Sequence, residues 1–233
     1  MSVRCAAVLC VRNERAHIRR AIADFVGQGI DVAIIDHDSS DGTREICEEF
    51  LGAGVLAVEP LAWAGAFDLT AQLQAKQELV DRLDHDWLIH ADADEWLQSP
   101  VPGETLLEGI ERLDASGCDA INFEEFVFLP DDGGIREPLD CRREFLDYYF
   151  FAPGERRLMR AWRHRMGYSN LGSGGHQLSG SEPKVAGQNF ILRHYPVLSQ
   201  AHAIEKYAHR KFADADIAKG WHHNRMGLDG ERL

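Results

Sequence analysis

Cysteine is scarce and scattered in this 233-residue chain: Cys5, Cys10, Cys47, Cys118 and Cys141 are odd in number and form no C-x-x-C pair. That speaks against a disulfide framework or a cysteine-rich zinc centre and fits a reducing compartment. Basic residues are also short, with 25 Lys and Arg against 38 Asp and Glu and a formal charge of −13. A field of that sign repels phosphate backbones and anionic lipid, so nucleic acid and membrane surfaces are not the expected partners. No apolar run reaches the ~18 residues of a membrane span. The run ending at Val11 is too short for the apolar region of a signal peptide. The expectation is a soluble, cytoplasmic protein with no integral membrane segment. Two nucleotide signatures are missing as well. There is no Gly-x-x-x-x-Gly-Lys-Ser/Thr loop, and no Gly-x-Gly-x-x-Gly follows the first apolar run.

What is present suits one α/β domain: 45% hydrophobic residues supply a core, and no repeat or low-complexity linker divides the chain. Strand-like runs at 3–11, 31–36, 54–59, 86–91 and 118–128 alternate with helical patterns at 14–28, from Thr43, at 66–84 and at 103–115. Such β-α-β repetition predicts a mostly parallel central sheet flanked by helices. After Leu129 the pattern turns irregular, with an aromatic cluster from Phe145 to Phe151, strands at 157–163 and 189–194, and a terminal helix over 199–219.

Ligands of open parallel sheets sit beyond the carboxyl ends of the strands, and polar clusters follow three of them. These are Arg12-Asn13-Glu14, the run from Asp36 through Asp38 to Thr43, and Asp92-Ala93-Asp94-Glu95. The last follows the apolar Trp87-Leu88-Ile89, so its carboxylates crowd a half-buried point where they repel and lose hydration. Mg²⁺ or Mn²⁺, hard ions that favour oxygen ligands, would relieve both problems. Residues i and i+2 of a strand point to opposite faces, so Asp92 and Asp94 must lie in a turn to act together. The loop Gly172-Ser173-Gly174-Gly175-His176 reads equally as a turn or as a backbone cradle for a diphosphate.

In combination, Val11-Arg12-Asn13-Glu14, Ile35 through Thr43 and Asp92-Ala93-Asp94-Glu95 resemble the successive motifs of family-2-type glycosyltransferases of the GT-A fold. Ser173 to His176, Arg193-His194-Tyr195-Pro196, Lys206, Arg210 and Gly220-Trp221-His222 are similar to a bacterial branch of that group. The resemblance covers roughly residues 3–225 and implies transfer of a sugar from a nucleotide-sugar donor to a carbohydrate or other hydroxyl-bearing acceptor, by inversion. It implies one GT-A-like domain, with a nucleotide-binding half (1–100) and a smaller, irregular acceptor-binding half (101–233). Arg12, Asn13, Glu14, Asp36, Asp38 and Asp92 would contact the donor. Asp94, with His176 or His194, would hold the metal.

The family's late Glu-Asp acid pair is not evident, and Ser181-Glu182-Pro183 is a poor substitute. Among the remaining carboxylates Glu125 is the preferred base, with Glu124 and Asp147 next. It stands late in an apolar strand beside Phe123, Phe126 and Phe128, where burial would raise its pKa. On the last helix Ile204, Tyr207, Ala208 and Phe212 form an apolar stripe. His202, Lys206, His209 and Arg210 form a basic face that could meet diphosphate oxygens. Two rivals remain: a non-catalytic nucleotide-sugar or carbohydrate-binding protein, favoured by the missing acid pair, and a sugar nucleotidyltransferase. The latter wants a glycine-rich basic loop after the first strand, which Arg12-Asn13-Glu14 does not supply.

Overall fold

The computed structural model describes residues 2–130, 141–151, 158–208 and 210–222. Its strands are β1 (Cys5–Val11), β2 (Asp31–Asp36), β3 (Val55–Pro60), β4 (Trp87–Ala91), β5 (Glu95–Gln98), β6 (Ala120–Phe128), β7 (Tyr148–Phe150), β8 (Met159–Arg163) and β9 (Phe190–His194). The helices are α1 (Ile18–Gly27), α2 (Thr43–Glu48), α3 (Leu69–Val80), α4 (Leu106–Ala115), α5 (Cys141–Glu144), α6 (Gln200–Tyr207) and α7 (Asp214–Ala218). One sheet runs in the order β3-β2-β1-β4-β8-β6-β9-β5, with β7 added beside β6. Strands β1 to β4 are mutually parallel, and β6 and β9 share their direction, while β5, β7 and β8 run against it. The expected mostly parallel α/β sheet is therefore present, and its carboxyl ends gather along one edge.

The apolar runs account for this. β1 and β4 are buried along their whole length, as strands covered on both faces must be. One face packs Ile18, Ile22 and Phe25 of α1 and Ile110 of α4 against Leu9, Ile34 and Ile89. The other packs Leu79 and Val80 of α3 against Val8, Ile35 and Leu88. Local chemistry sets the helix starts: Asp68 caps α3, Ser199 caps α6, and Thr105 with Glu108 forms a capping box on α4. No helix among the described residues is long and apolar enough to cross a membrane.

Two segments gain detail and one expectation needs correction. The Asp92–Asp94 segment is a turn as required, but it leads directly into β5, which pairs with β9. The aromatic cluster contains a strand, β7, along β6. The terminal helix is broken in two. Ala208 is extended (φ −64°, ψ 130°), and the chain then runs beside Phe67. The Phe67 N–H donates to the Lys211 carbonyl at 2.8 Å, and the Ala213 N–H to the Phe67 carbonyl at 2.9 Å. A continuous helix would spend those groups internally. The apolar stripe holds only in part: Ala208 and Phe212 are buried, but Ile204 is exposed, and the side chain of Lys206, placed on the polar face, is buried. His209 lies outside the described residues.

Gly54, which leads into β3, has φ +101°, and a Cβ there would overlap the Val26 side chain. Gly54→Ala should therefore destabilise the fold by about 1–3 kcal/mol, combining backbone strain with displaced packing. Urea denaturation followed by circular dichroism would measure this, and an unchanged midpoint would show the turn to be permissive.

Candidate active site

Arg12, Asn13 and Glu14 leave β1 beside the loop that leaves β2, and the two loops are tied together. The Arg12 guanidinium donates to the carbonyls of His37 (2.6 Å) and Asp38, and stacks over Trp63 at 3.8 Å. The Asn13 N–H donates to Ser39 Oγ, and its side-chain oxygen accepts from the Ser40 N–H. Asn13 and Asp38 both hold left-handed backbone, at φ 54° and 55°. Those are the residue types that tolerate it best.

The turn after β4 carries the densest charge. Asp94 Oδ2 lies 2.9 Å from Lys206 Nζ and 3.5 Å from His194 Nε2. Lys206 also pairs with Glu14 at 2.9 Å, and His194 Nδ1 pairs with Glu125 at 2.7 Å. The result is an unbroken alternating chain, Glu14–Lys206–Asp94–His194–Glu125. All five side chains are between 8% and 16% exposed, so the pairs are buried rather than screened. A second set adjoins it: Arg160 reaches Glu95 and Asp92, and Lys76 lies 3.4 Å from Asp92.

The protonation states follow from burial and partners. Burial disfavours charge on Asp94, yet Lys206 and His194 outweigh it and hold the carboxyl well below the usual range. Burial likewise opposes charge on His194, but Asp94 and Glu125 raise it well above the usual histidine value. For Glu14 and Glu95 burial dominates and pushes each up to about 7, against the pull of Lys206 and Arg160 respectively.

These groups line one cleft of about 1980 Å³. Of the residues singled out in the sequence, Arg12, Asn13, Glu14, Asp92, Asp94, Glu125, His176, His194, Lys206 and Arg210 border it. Asp36 and Asp38 do not. Asp36 is buried at the end of β2, where its Oδ2 accepts from the Ser39 N–H and its Oδ1 has no partner among the described residues. Glu124 faces away from Glu125 and accepts from Asn189. Asp147 is exposed. Gly174 and Gly175 border the cleft in left-handed backbone, against Trp221 and Leu73. Among the described residues no group of three or more His, Cys, Asp or Glu gathers closely enough to hold an ion, so Asp94, His176 and His194 are not preassembled as one ligand set. Lys76, Arg160 and Gln72 are cleft residues that the sequence did not single out, and Glu95, noted there only as part of the Asp92–Glu95 cluster, borders the cleft too. Lys76 is an ordinary-looking lysine within α3, and Arg160 an ordinary-looking arginine in β8.

Lys206→Met should cost about 3–5 kcal/mol, because it removes the paired cation of buried Glu14 and leaves Asp94 with His194 alone. Arg19→Ala, which breaks the exposed pair with Glu49, should cost less than about 1 kcal/mol. Chemical denaturation of the two variants side by side tests the contrast, and equal effects would refute it.

The family model described as Glycosyl transferase family 2 matches residues 6–123. Among solved structures, S. aureus TarS aligns at 15% identity over 57% of this chain and 23% of its own, with a TM-score of 0.39. S. aureus TarS 1–349 in complex with UDP aligns at 15% identity over 57% and 38%, with the same TM-score. TarS 1–349 alone gives 15% identity over 55% and 39%, again at 0.39. The chain thus spans less than two fifths of the length of these structures. Among curated proteins none matches.

Proposed function

This chain belongs to glycosyl transferase family 2, and from that premise we propose that it transfers a sugar from a nucleotide-sugar donor to an acceptor hydroxyl by inverting displacement. The observation that carries the reading is the meeting, in one cleft at the carboxyl edge of the sheet, of the Arg12–Glu14 loop, the Asp92–Asp94 turn and the His194–Glu125 pair. Residues 1–100 then form mainly the donor side and 101–233 the acceptor side, with Lys206 crossing to Asp94.

Each group has a task suited to its chemistry. Arg12 and Asn13 hold the two nucleoside-side loops together, and Asp36 and Asp38 stand behind them. Lys76, Arg160, Lys206 and Arg210 offer positive charge to the donor's diphosphate. Asp94 Oδ2 and His194 Nε2, 3.5 Å apart, would hold a hard divalent cation in place of the proton that now charges His194, whose other nitrogen is oriented by Glu125 in the manner of a ligating histidine. Two protein ligands suit Mg²⁺ or Mn²⁺, which leave their other positions to phosphate oxygens and water. Such an ion, when bound, would supply charge neutralisation for the departing diphosphate. Glu125 receives the proton of the acceptor hydroxyl as that oxygen bonds to the sugar's anomeric carbon and the bond to the diphosphate breaks.

Two measurements follow. Glu125→Gln keeps the shape and removes basicity, so turnover should fall by about 10²–10⁴ while nucleoside diphosphate affinity survives. Near-parental turnover would move the base elsewhere, and a wild-type protein that binds donor without ever turning it over would be a nucleotide-sugar-binding protein. Asp94→Asn should abolish the part of UDP or GDP binding that depends on Mn²⁺ in calorimetry. Equal affinities with Mn²⁺ and with EDTA, in wild type and variant alike, would remove the ion from the proposal.

A further inference from the structure

Strand register identifies a second wall of the cleft. On β6 and β7 the residue pairs are Phe126 with Phe150, Val127 with Tyr149, and Phe128 with Tyr148. The rings of Phe126, Phe128, Tyr148 and Phe150 pack together on one face of this ribbon. Alternation then assigns Glu125, Val127, Tyr149 and Phe151 to the other face, and all four border the cleft. The Phe151 N–H donates to the Glu125 carbonyl at 3.0 Å, which anchors this aromatic segment beside the carboxylate. Across the sheet, Glu95, His194, Val127 and Tyr149 lie side by side on neighbouring strands. At about 4.8 Å per strand Tyr149 stands roughly 10 Å from His194. It is 48% exposed, a large open aromatic surface at the mouth of a charged site.

We propose that Tyr149 and Phe151 form a stacking platform for a pyranose ring of the acceptor, which presents one hydroxyl to Glu125. The inference rests on the sugar-transfer reading and names its acceptor class as carbohydrate. A pyranose has an apolar C–H face and a rim of hydroxyls. The C–H face suits an aromatic ring, whose electron-rich face attracts it, and the rim suits the carboxylate and imidazole next door. An extended lipid chain would need a continuous apolar groove. Here the aromatic wall gives way within one residue to Glu125 and within two strands to His194. Tyr148, 56% exposed but on the opposite face, has no part in the platform.

The test is saturation-transfer NMR with methyl α- and β-pyranosides of glucose, galactose, N-acetylglucosamine and rhamnose, run on the whole chain with UDP or GDP present. The expected result is saturation of the ring C–H protons of at least one glycoside. Tyr149→Ala should cut that signal at least fivefold, Tyr149→Trp should keep it, and Tyr148→Ala should leave it unchanged. Phe151→Leu, which retains apolar bulk without a ring, should also weaken it and covers the case in which Tyr149→Ala fails to fold. Nucleoside diphosphate affinity, measured separately, should not change in the platform variants, so failure of the platform and failure of the donor reading are told apart. Saturation that persists in both platform variants, or no saturation with any glycoside, would overturn the proposal.

Discussion

The site depends on one chain of buried charges. Glu14 follows β1, Lys206 sits on α6, Asp94 lies in the turn after β4, His194 ends β9 and Glu125 stands in β6. Five segments far apart in sequence are thereby held in one geometry. A buried ion pair gives little net stability, because desolvation offsets most of the Coulomb attraction, but breaking it is expensive. Its value is specification. In the observed seating of α6, one lysine meets both Glu14 and Asp94.

The sheet topology explains why so many carboxylates collect there. Six strands share a direction, so their carboxyl ends lie along one edge, and the polar exits of β1, β2 and β4 border one cleft there. The antiparallel strand β8 is inserted between β4 and β6 and brings Arg160 to Asp92 and Glu95. The antiparallel β5 turns the chain back immediately after Asp94 and pairs Glu95 with His194. In a chain of net charge −13, the basic residues Lys76, Arg160 and Lys206 are thus spent at the point where carboxylates are densest. That concentration suits a ligand carrying both phosphate oxygens and hydroxyls, with fixed cations and ionised carboxylates side by side.

The cleft has two walls of different chemistry. The wall formed by the ends of β1 and β4 with α6 is charged and tightly paired, and its side chains are held before any ligand arrives. The wall formed by β6 and β7 is aromatic and more exposed, and it is positioned by backbone pairing and by ring packing on its opposite face. Glu125 lies at the seam, paired with His194 on one side and bordered by Val127, Tyr149 and Phe151 on the other. A carboxylate so placed can reach both what the charged wall holds and what the aromatic wall holds.

Much of this was legible in the residues. The apolar runs of β1, β2, β4 and β6 are local signals that survive without knowledge of their partners, because strands buried on both faces need unbroken apolar stretches. The polar clusters after β1, β2 and β4 were equally readable, and so was Glu125, late in an apolar strand. What sequence alone could not assign was pairing across distance. Lys76 within α3 and Arg160 in β8 look like any solvated basic residue until the fold sets them against Asp92 and Glu95, and the pairing of Lys206 with Asp94 is equally absent from the local pattern. The helix expected over 199–219 breaks because the segment near Phe212 pairs with Phe67, a contact that no helical periodicity contains. Local patterning determined the elements and the edge where chemistry collects. Tertiary packing decided which charges neutralise one another there, since a buried charge is tolerated only beside the partner that the fold delivers.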